Sequence, residues 1–276
     1  MDNIAFSVLM PVYFKEDPDN FRSAIESVLK QTLLPSEIVI VEDGPLTKEL
    51  DIEILNYTNK YPTLFTIIKL PVNCGMGIAM NEGLNACKFN WIARMDSDDL
   101  SIFDRFEKQI NFLKQHPEID VIGGWIEEFR HTPGDMKQIR NLPEKHAEIY
   151  KFAKTRNPMN HMTVMFNKDK ALKSGGYWQH RILEDYHLWF QMFQNSCKFY
   201  NIQEILVNAR VGNNMLGRRK GMPYFRMEVY FFNVLYKSKF ITKYQLGKVL
   251  MERGLMKIIP IRFLERIYAI MLRTKN

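Results

Sequence analysis

Within the first hundred residues four short, mostly apolar runs recur, and polar or turn-forming residues close three of them. Phe6–Met10 runs into Pro11 and Tyr13, Glu37–Val41 into Glu42-Asp43-Gly44-Pro45, and Trp91–Met95 into Asp96-Ser97-Asp98-Asp99. Phe65–Leu70 is the remaining run. Runs this short suit strands buried on both faces. Segments of helical period separate them. Asn20–Gln31 has Asn20 as its expected cap and Phe21, Ala24, Ile25, Val28 and Leu29 on one face; polar Thr47–Lys60 and Gly75–Cys87 follow. This alternation predicts an α/β fold with a mostly parallel central sheet flanked by helices. Such sheets take ligands at the carboxyl ends of their strands. Strands one, two and four therefore deliver Pro11 and Tyr13, Asp43, and the acidic run 96–99 to one edge.

After Asp104 the alternation gives way. A helix over Phe106–Gln115, a strand over Val121–Ile126 and a turn at Gly175-Gly176-Tyr177 follow. A helix from about Glu184 to Asn195 and a strand over Lys198–Val207 close this part, and from about Tyr224 the chain is helical and amphipathic. The expected division is one domain over 1–215, with halves 1–104 and 105–215, and a helical basic extension over 216–276.

Charge is uneven. From Arg210 to Asn276 there are fifteen Lys or Arg against three Glu, within a whole-chain net charge of +7. A basic tail of this kind suits nucleic acid, an anionic membrane or a phosphorylated ligand. No zinc finger, RNA-recognition signature or aromatic-basic platform accompanies it, so nucleic acid is set aside as a partner. In Lys257–Arg273, Ile261, Leu264, Tyr268 and Met271 share a helical face, with Arg262, Arg266 and Arg273 nearer the other. That segment either lies in an anionic membrane interface or packs on the domain. The three cysteines, Cys74, Cys87 and Cys197, form no CxxC pair, which points to thiols in a reducing, cytoplasmic setting. A signal peptide and a spanning segment are not expected, so the protein is read as soluble or peripheral on the membrane's inner face.

The run Arg94-Met95-Asp96-Ser97-Asp98-Asp99 is where chemistry concentrates. Carboxylates at alternate positions just past a buried strand can converge on one hard cation such as Mg²⁺ or Mn²⁺, which takes oxygen ligands and bridges to phosphates. The competing reading is a solvated turn or helix cap. No Walker pattern is present, and Gly75-Met76-Gly77 carries too few glycines for a dinucleotide fingerprint.

Five motifs in order resemble family 2 of the inverting glycosyltransferases over residues 4 to 210. FSVLMPVY (6–13) is similar to the family's first strand, IVIVEDG (38–44) to its second, and RMDSDD (94–99) to its DxD signature. Asn73-Cys74-Gly75 followed by Ala79-Met80-Asn81-Glu82-Gly83 is similar to the family's NxG…AxNxG segment, and Leu183–Trp189 to its later ED motif. The resemblance implies a GT-A-type fold and transfer from a nucleotide diphosphate sugar, most readily a UDP-sugar. The acceptor it implies is a saccharide or a polyprenyl-diphosphate-linked saccharide of bacterial surface polysaccharide or lipopolysaccharide. It makes 1–104 the nucleotide-binding half and 105–215 the acceptor half.

By the same resemblance Asp43 accepts from the nucleobase, Asp96 approaches the ribose and the metal, and Asp98 binds the metal. Arg94 holds phosphates or pairs with the acidic loop, and Arg210 reaches the diphosphate. Asp185 is the candidate general base, with Glu184 beside it; the alternative is an ordinary acidic first helical turn. His161, in Asn157-Pro-Met-Asn-His161, contacts donor phosphate or acceptor, or is a hydrogen-bonded structural residue. Met80 stands where many members have Arg, and Gly212-Asn213-Asn214 fills a stretch where many have His. Two readings compete with transfer. A sugar nucleotidyltransferase calls for a Gly-rich basic loop after strand one, where this chain has none. A non-enzymatic membrane-associated binding module leaves the acidic edge unexplained.

Overall fold

Strands β1 (Phe6–Val12), β2 (Glu37–Glu42), β3 (Phe65–Lys69) and β4 (Trp91–Arg94) lie parallel in the order β3-β2-β1-β4. The computed structural model describes residues 4–180, 182–212, 221–258 and 274–275. Side-chain alternation sorts the two faces of this sheet. Val8, Met10, Ile38 and Ile40 pack with α1 (Pro18–Leu29), α2 (Lys48–Lys60) and α4 (Arg105–Gln115). Leu9, Val39 and Val41 pack with α3 (Met76–Ala86) on the other face. Both faces are covered over β1, β2 and β4, which is why those strands read as mostly apolar runs, while β3 at the edge is only partly buried.

Four helix starts differ from expectation by a residue or more, α3 and α4 by one each. Asp17, not Asn20, caps α1: its carboxylate accepts from the amides of Asp19 (2.9 Å) and Asn20 (3.2 Å). Pro18 takes the first helical position, where its missing N–H costs nothing. Thr47 caps α2, accepting from Leu50 N at 3.3 Å.

Beyond β4 the sheet is mixed. β8 (Met165–Asn167) runs antiparallel to β4, then β6 (Val121–Phe129) and β7 (Gln138–Arg140) continue it. β9 (Phe199–Arg210) pairs in parallel with β6, and β5 (Leu100–Ser101) pairs antiparallel with the end of β9. Both β6 and β9 run three residues past their expected ends, because they zip together as far as Phe129 and Arg210. Glu127 and Glu128 had broken the apolar pattern there; Glu128 is nonetheless buried.

The remaining helices are α5 (His146–Phe152), α6 (Lys168–Lys173), α7 (Glu184–Gln194), α8 (Met222–Lys237) and α9 (Lys243–Ile258). Phe231, Phe232 and Leu235 of α8 join the core that holds Tyr186 and Phe190 of α7. Glu228 is buried between α8 and α9, where Arg253 and Lys257 (2.8 Å) both pair with it. The extension thus packs on the domain as a hairpin as far as Ile258. Arg218-Arg219-Lys220 and most of the expected terminal helix lie outside the described residues. Thr274–Lys275, read in sequence as part of a helical region, forms β10 antiparallel to β7. Among the described residues no helix is long and apolar enough to cross a membrane.

Candidate active site

β4 carries Ile92 and Ala93 into the core and ends at Arg94, so the chain leaves the sheet edge as the loop 96–99. Asp96, Asp98 and Asp99 each offer a carboxylate oxygen within 4.8 Å of the others. Burial first, and then the charges of Asp96 and Glu16, push the Asp98 carboxyl up to about 7. Burial and the charges of Asp96 and Asp98 hold Asp99 well above the usual carboxylate range. Asp99 accepts from Arg210 N at 2.7 Å with one oxygen, while its other oxygen is buried without a hydrogen-bond partner. An all-oxygen donor set that repels itself and leaves a buried oxygen unsatisfied fits a hard divalent cation.

Two buried arginines hold this loop in place. Arg94 is 2% exposed and pairs through Nη2 with Asp96, while its Nε and Nη1 have no hydrogen-bond partner. Of its two expected roles the geometry displays the pairing with the acidic loop; a guanidinium so deeply buried presents little surface to a phosphate. Arg105, from α4, donates to the Arg94 carbonyl at 2.8 Å and to Ser101 Oγ at 3.2 Å. Burial lowers its guanidinium to about 9. Beside it Gln109 donates to the Thr163 carbonyl at 2.9 Å, tying α4 to the 3₁₀ turn His161–Thr163.

Arg210, at the end of β9, donates through Nε to the Asp98 carbonyl at 3.0 Å and lies over the Phe129 ring at 4.6 Å. It braces the acidic loop. Across the loop, Ser97 Oγ donates to Glu16 at 2.7 Å, and burial raises the Glu16 carboxyl. Sequence reasoning passed over Glu16. Its one signal is its place three residues beyond Tyr13, in the loop after β1, the strand next to β4.

Asp43 is buried at the end of β2, and its carboxylate accepts from Asn73 Nδ2 (2.9 Å), Cys74 N (2.7 Å) and Gly75 N (3.0 Å). The carboxylate expected to meet a nucleobase therefore organises the 73–75 loop. Gly44 must be glycine here, since its φ is +86° and a Cβ would come within 2.6 Å of Asn73 N. Pro11 is buried within β1, and partly exposed Tyr13 follows it, edge-on to Phe14. β1 lies between β2 and β4, so these residues sit between Asp43 and the acidic loop.

The segment before α7 is clamped to α3. Asn81 accepts from Tyr177 N at 2.7 Å and donates to Tyr177 O at 2.8 Å. A Cβ on Gly77 would stand 2.0 Å from the Trp178 carbonyl, and one on Gly176 2.6 Å from Asn81 Oδ1. This close approach gives the AxNxG-like segment a physical role. It turns the Tyr177 ring inward, where its hydroxyl meets His161 Nε2 at 3.0 Å. Burial, and then Arg94, hold His161 well below its ordinary pKa, so the imidazole is neutral. The Tyr177 hydroxyl is thus the hydrogen-bond partner the fold gives His161.

Asp185 lies in the first turn of α7, which starts from Leu183 in the left-handed region (φ 61°). Its carboxylate accepts from Asn157 Nδ2 at 2.5 Å and Tyr186 N at 2.7 Å. Glu184 precedes it, also partly buried. Burial raises the Tyr177 hydroxyl well above its ordinary value; Arg94 opposes this, while Asp185, Glu184 and Asp96 add to it. One phenol thus feels both the α7 carboxylates and the acidic loop. Asn157, Asn81 and Tyr177 are site residues the sequence reading left without a role, because side-chain contacts across 28 or 96 positions carry no local signal.

The model of Glycosyl transferase family 2 matches residues 7–176. An uncharacterized glycosyltransferase of Haemophilus influenzae is 39% identical, covering 97% of this chain and 99% of its own. The UDP-Gal:alpha-D-GlcNAc-diphosphoundecaprenol beta-1,3-galactosyltransferase of Escherichia coli is 33% identical over 99% of this chain and 98% of its own. Among solved structures, S. aureus TarS 1-349 in complex with UDP-GlcNAc superimposes with a TM-score of 0.67 over 96% of this chain and 72% of its own. At 17% identity that is a likeness of fold.

Proposed function

From the premise that the chain belongs to glycosyl transferase family 2, we propose that it moves a sugar from a UDP-sugar to a lipid-linked or free saccharide acceptor with inversion. The setting is bacterial surface-polysaccharide synthesis, with residues 1–215 as the catalytic domain. The observation that carries the reading is the self-repelling trio Asp96, Asp98 and Asp99 at the carboxyl edge of the parallel strands. The similar Escherichia coli galactosyltransferase is named for a UDP-sugar donor and a diphosphoundecaprenol-linked acceptor, which supports both substrate classes. The fold neighbour with UDP-GlcNAc supports the donor class.

Asp98 and Asp96, with Asp99 behind them, would hold Mn²⁺ or Mg²⁺, a Lewis acid that neutralises a diphosphate leaving group. Arg94 and Arg105 keep those carboxylates convergent without occupying the donor's space. Asp43 acts on the nucleobase through the shape it gives Asn73–Gly75. Asp185 is the general base. As the acceptor hydroxyl oxygen bonds to the anomeric carbon, the carbon–oxygen bond to the diphosphate breaks and the hydroxyl proton passes to the Asp185 carboxylate. Asn157 fixes one oxygen of that carboxylate, which orients the proton acceptor. Glu184 flanks it, and a basic hairpin suits an anionic membrane surface on the cytoplasmic side, where a polyprenyl diphosphate would be met.

A nucleotide-sugar hydrolysis screen with Mn²⁺ and Mg²⁺ tests the reading, wild type beside Asp98→Asn and Asp185→Asn. UDP release from one donor, lost in Asp98→Asn, is expected. Asp185→Asn should keep the thermal stabilisation given by UDP and Mn²⁺ while transfer to acceptor falls by at least about a hundredfold. Silence with every donor, together with no metal-dependent thermal shift, refutes transfer.

A further inference from the structure

The outer face of α9 carries three large apolar side chains in water: Tyr244 is 80% exposed, Met251 62% and Leu255 56%. Steps of seven and four residues set them on a single stripe. The opposite face of the same helix is spent on the core, through Val249, and on the Glu228 ion pairs. The stripe is therefore surplus to folding.

Its surroundings are cationic. Residues 221–258 hold seven Lys or Arg against Glu228 and Glu252. Glu228 is buried and paired, and Glu252 lies 3.9 Å from Lys248. Lys237, Lys239, Lys243 and Lys248 are exposed around the turn that joins α8 to α9. Exposed apolar side chains ringed by lysines on a helix too polar to span a bilayer have the make-up of an interfacial helix. A second copy of the chain fits poorly, since a two-fold pairing through the stripe would set lysines against lysines.

We propose that the α8–α9 hairpin docks on an anionic lipid bilayer, with Tyr244, Met251 and Leu255 entering the headgroup boundary and the four lysines facing lipid charge. This refines the membrane reading by naming the contacting surface, and it does not depend on the transfer reaction. Lys and Arg near such a surface gain from its negative potential, and screening weakens them within a Debye length.

The full chain is sedimented with phosphatidylcholine vesicles, with and without about a third phosphatidylglycerol. Binding is expected only to the anionic vesicles, and it should fall steeply with added salt. Met251→Asp with Leu255→Asp should abolish it, leaving the melting temperature within about 2 °C, because both side chains are exposed. Lys243→Glu with Lys248→Glu should weaken it by at least about tenfold. Equal binding to neutral vesicles, or none to either, overturns the proposal. So does a wild-type result for both double variants while Arg262→Glu with Arg266→Glu abolishes binding, which would assign the contact to the terminal segment. A dimer in sedimentation velocity that Met251→Asp dissociates would assign the stripe to a second copy and overturn it equally.

Discussion

Replacing Asp98 by Asn should make the metal-free protein more stable, and only at neutral to alkaline pH. The Asp98 carboxyl stands at about 7 in the folded chain, against an ordinary value of 3.8, because of burial and the charges of Asp96 and Glu16. A raised carboxyl means the folded state holds its proton more tightly than the unfolded chain does. The contribution is full below pH 4, declines as pH rises, and is lost above pH 7. At about 1.4 kcal/mol per pH unit the loss is at most about 4 kcal/mol. Asp98 keeps some contact with solvent, so screening brings this nearer 2 kcal/mol. Asn carries no titrating charge and escapes the loss. In chelator at pH 8 the variant should therefore melt about 4–8 °C above wild type, and at pH 4.5 the two should nearly coincide. With saturating Mn²⁺ and UDP the order should reverse, since only the wild type gains the ligand's stabilisation of roughly 2.7 kcal/mol at a hundred times the dissociation constant. Scanning calorimetry in four buffers reads all of this. A variant less stable than wild type in chelator at pH 8, or a gap that ignores pH, refutes the account of the acidic loop.

Three further outcomes test the architecture around it. Tyr177→Phe removes the hydroxyl that meets His161 Nε2 at 3.0 Å. It should cost about 1–3 kcal/mol in urea unfolding and lower turnover more than it raises the donor KM. Gly77→Ala drives a methyl group into the Trp178 carbonyl, 2.0 Å from the ideal Cβ. The α3 contact must open, so a loss of at least about 2 kcal/mol is expected, with weaker UDP stabilisation in thermal melts. Glu37→Ala strips an acceptor from Ser7 Oγ (2.7 Å), Lys88 N (2.8 Å) and Thr66 Oγ1 (3.0 Å) at the amino end of β2, costing about 3 kcal/mol by chemical denaturation. In the wild type, burial works to raise the Glu37 carboxyl, but those hydrogen bonds override it and the pKa is lowered. Its stabilisation is present at neutral pH and vanishes as pH falls through that lowered value. Glu37→Ala should therefore flatten the acid end of the stability profile.

The half up to residue 104 was legible because its signals are local. Buried parallel strands print as short, mostly apolar runs, and Asp43 and Asp96–Asp99 follow two of them closely. The part beyond residue 104 was harder, since β6 and β9 end where they cease to pair with one another, far apart in sequence. Pairwise roles were the least legible. Asp43 reads in sequence as a ligand contact, and its bonds to the 73–75 loop carry no local sequence signal; Arg94 reads as equally suited to phosphate and to Asp96, and the structure pairs it with Asp96. His161 has its partner 16 residues away in a turn that sequence marks only by its glycines.

The clamp between Asn81 and Tyr177 bears on how such a protein can be recombined. A chimera joined near residue 104, with the part beyond it taken from a relative, would sever the Asn81–Tyr177 pair, the brace of Asp99 by Arg210 and the reach of Arg105 to the Arg94 carbonyl at once. Shuffled libraries should thus yield active members chiefly where residues 77–81 and 176–178 come from one parent. The two halves are inherited as a single mechanical piece.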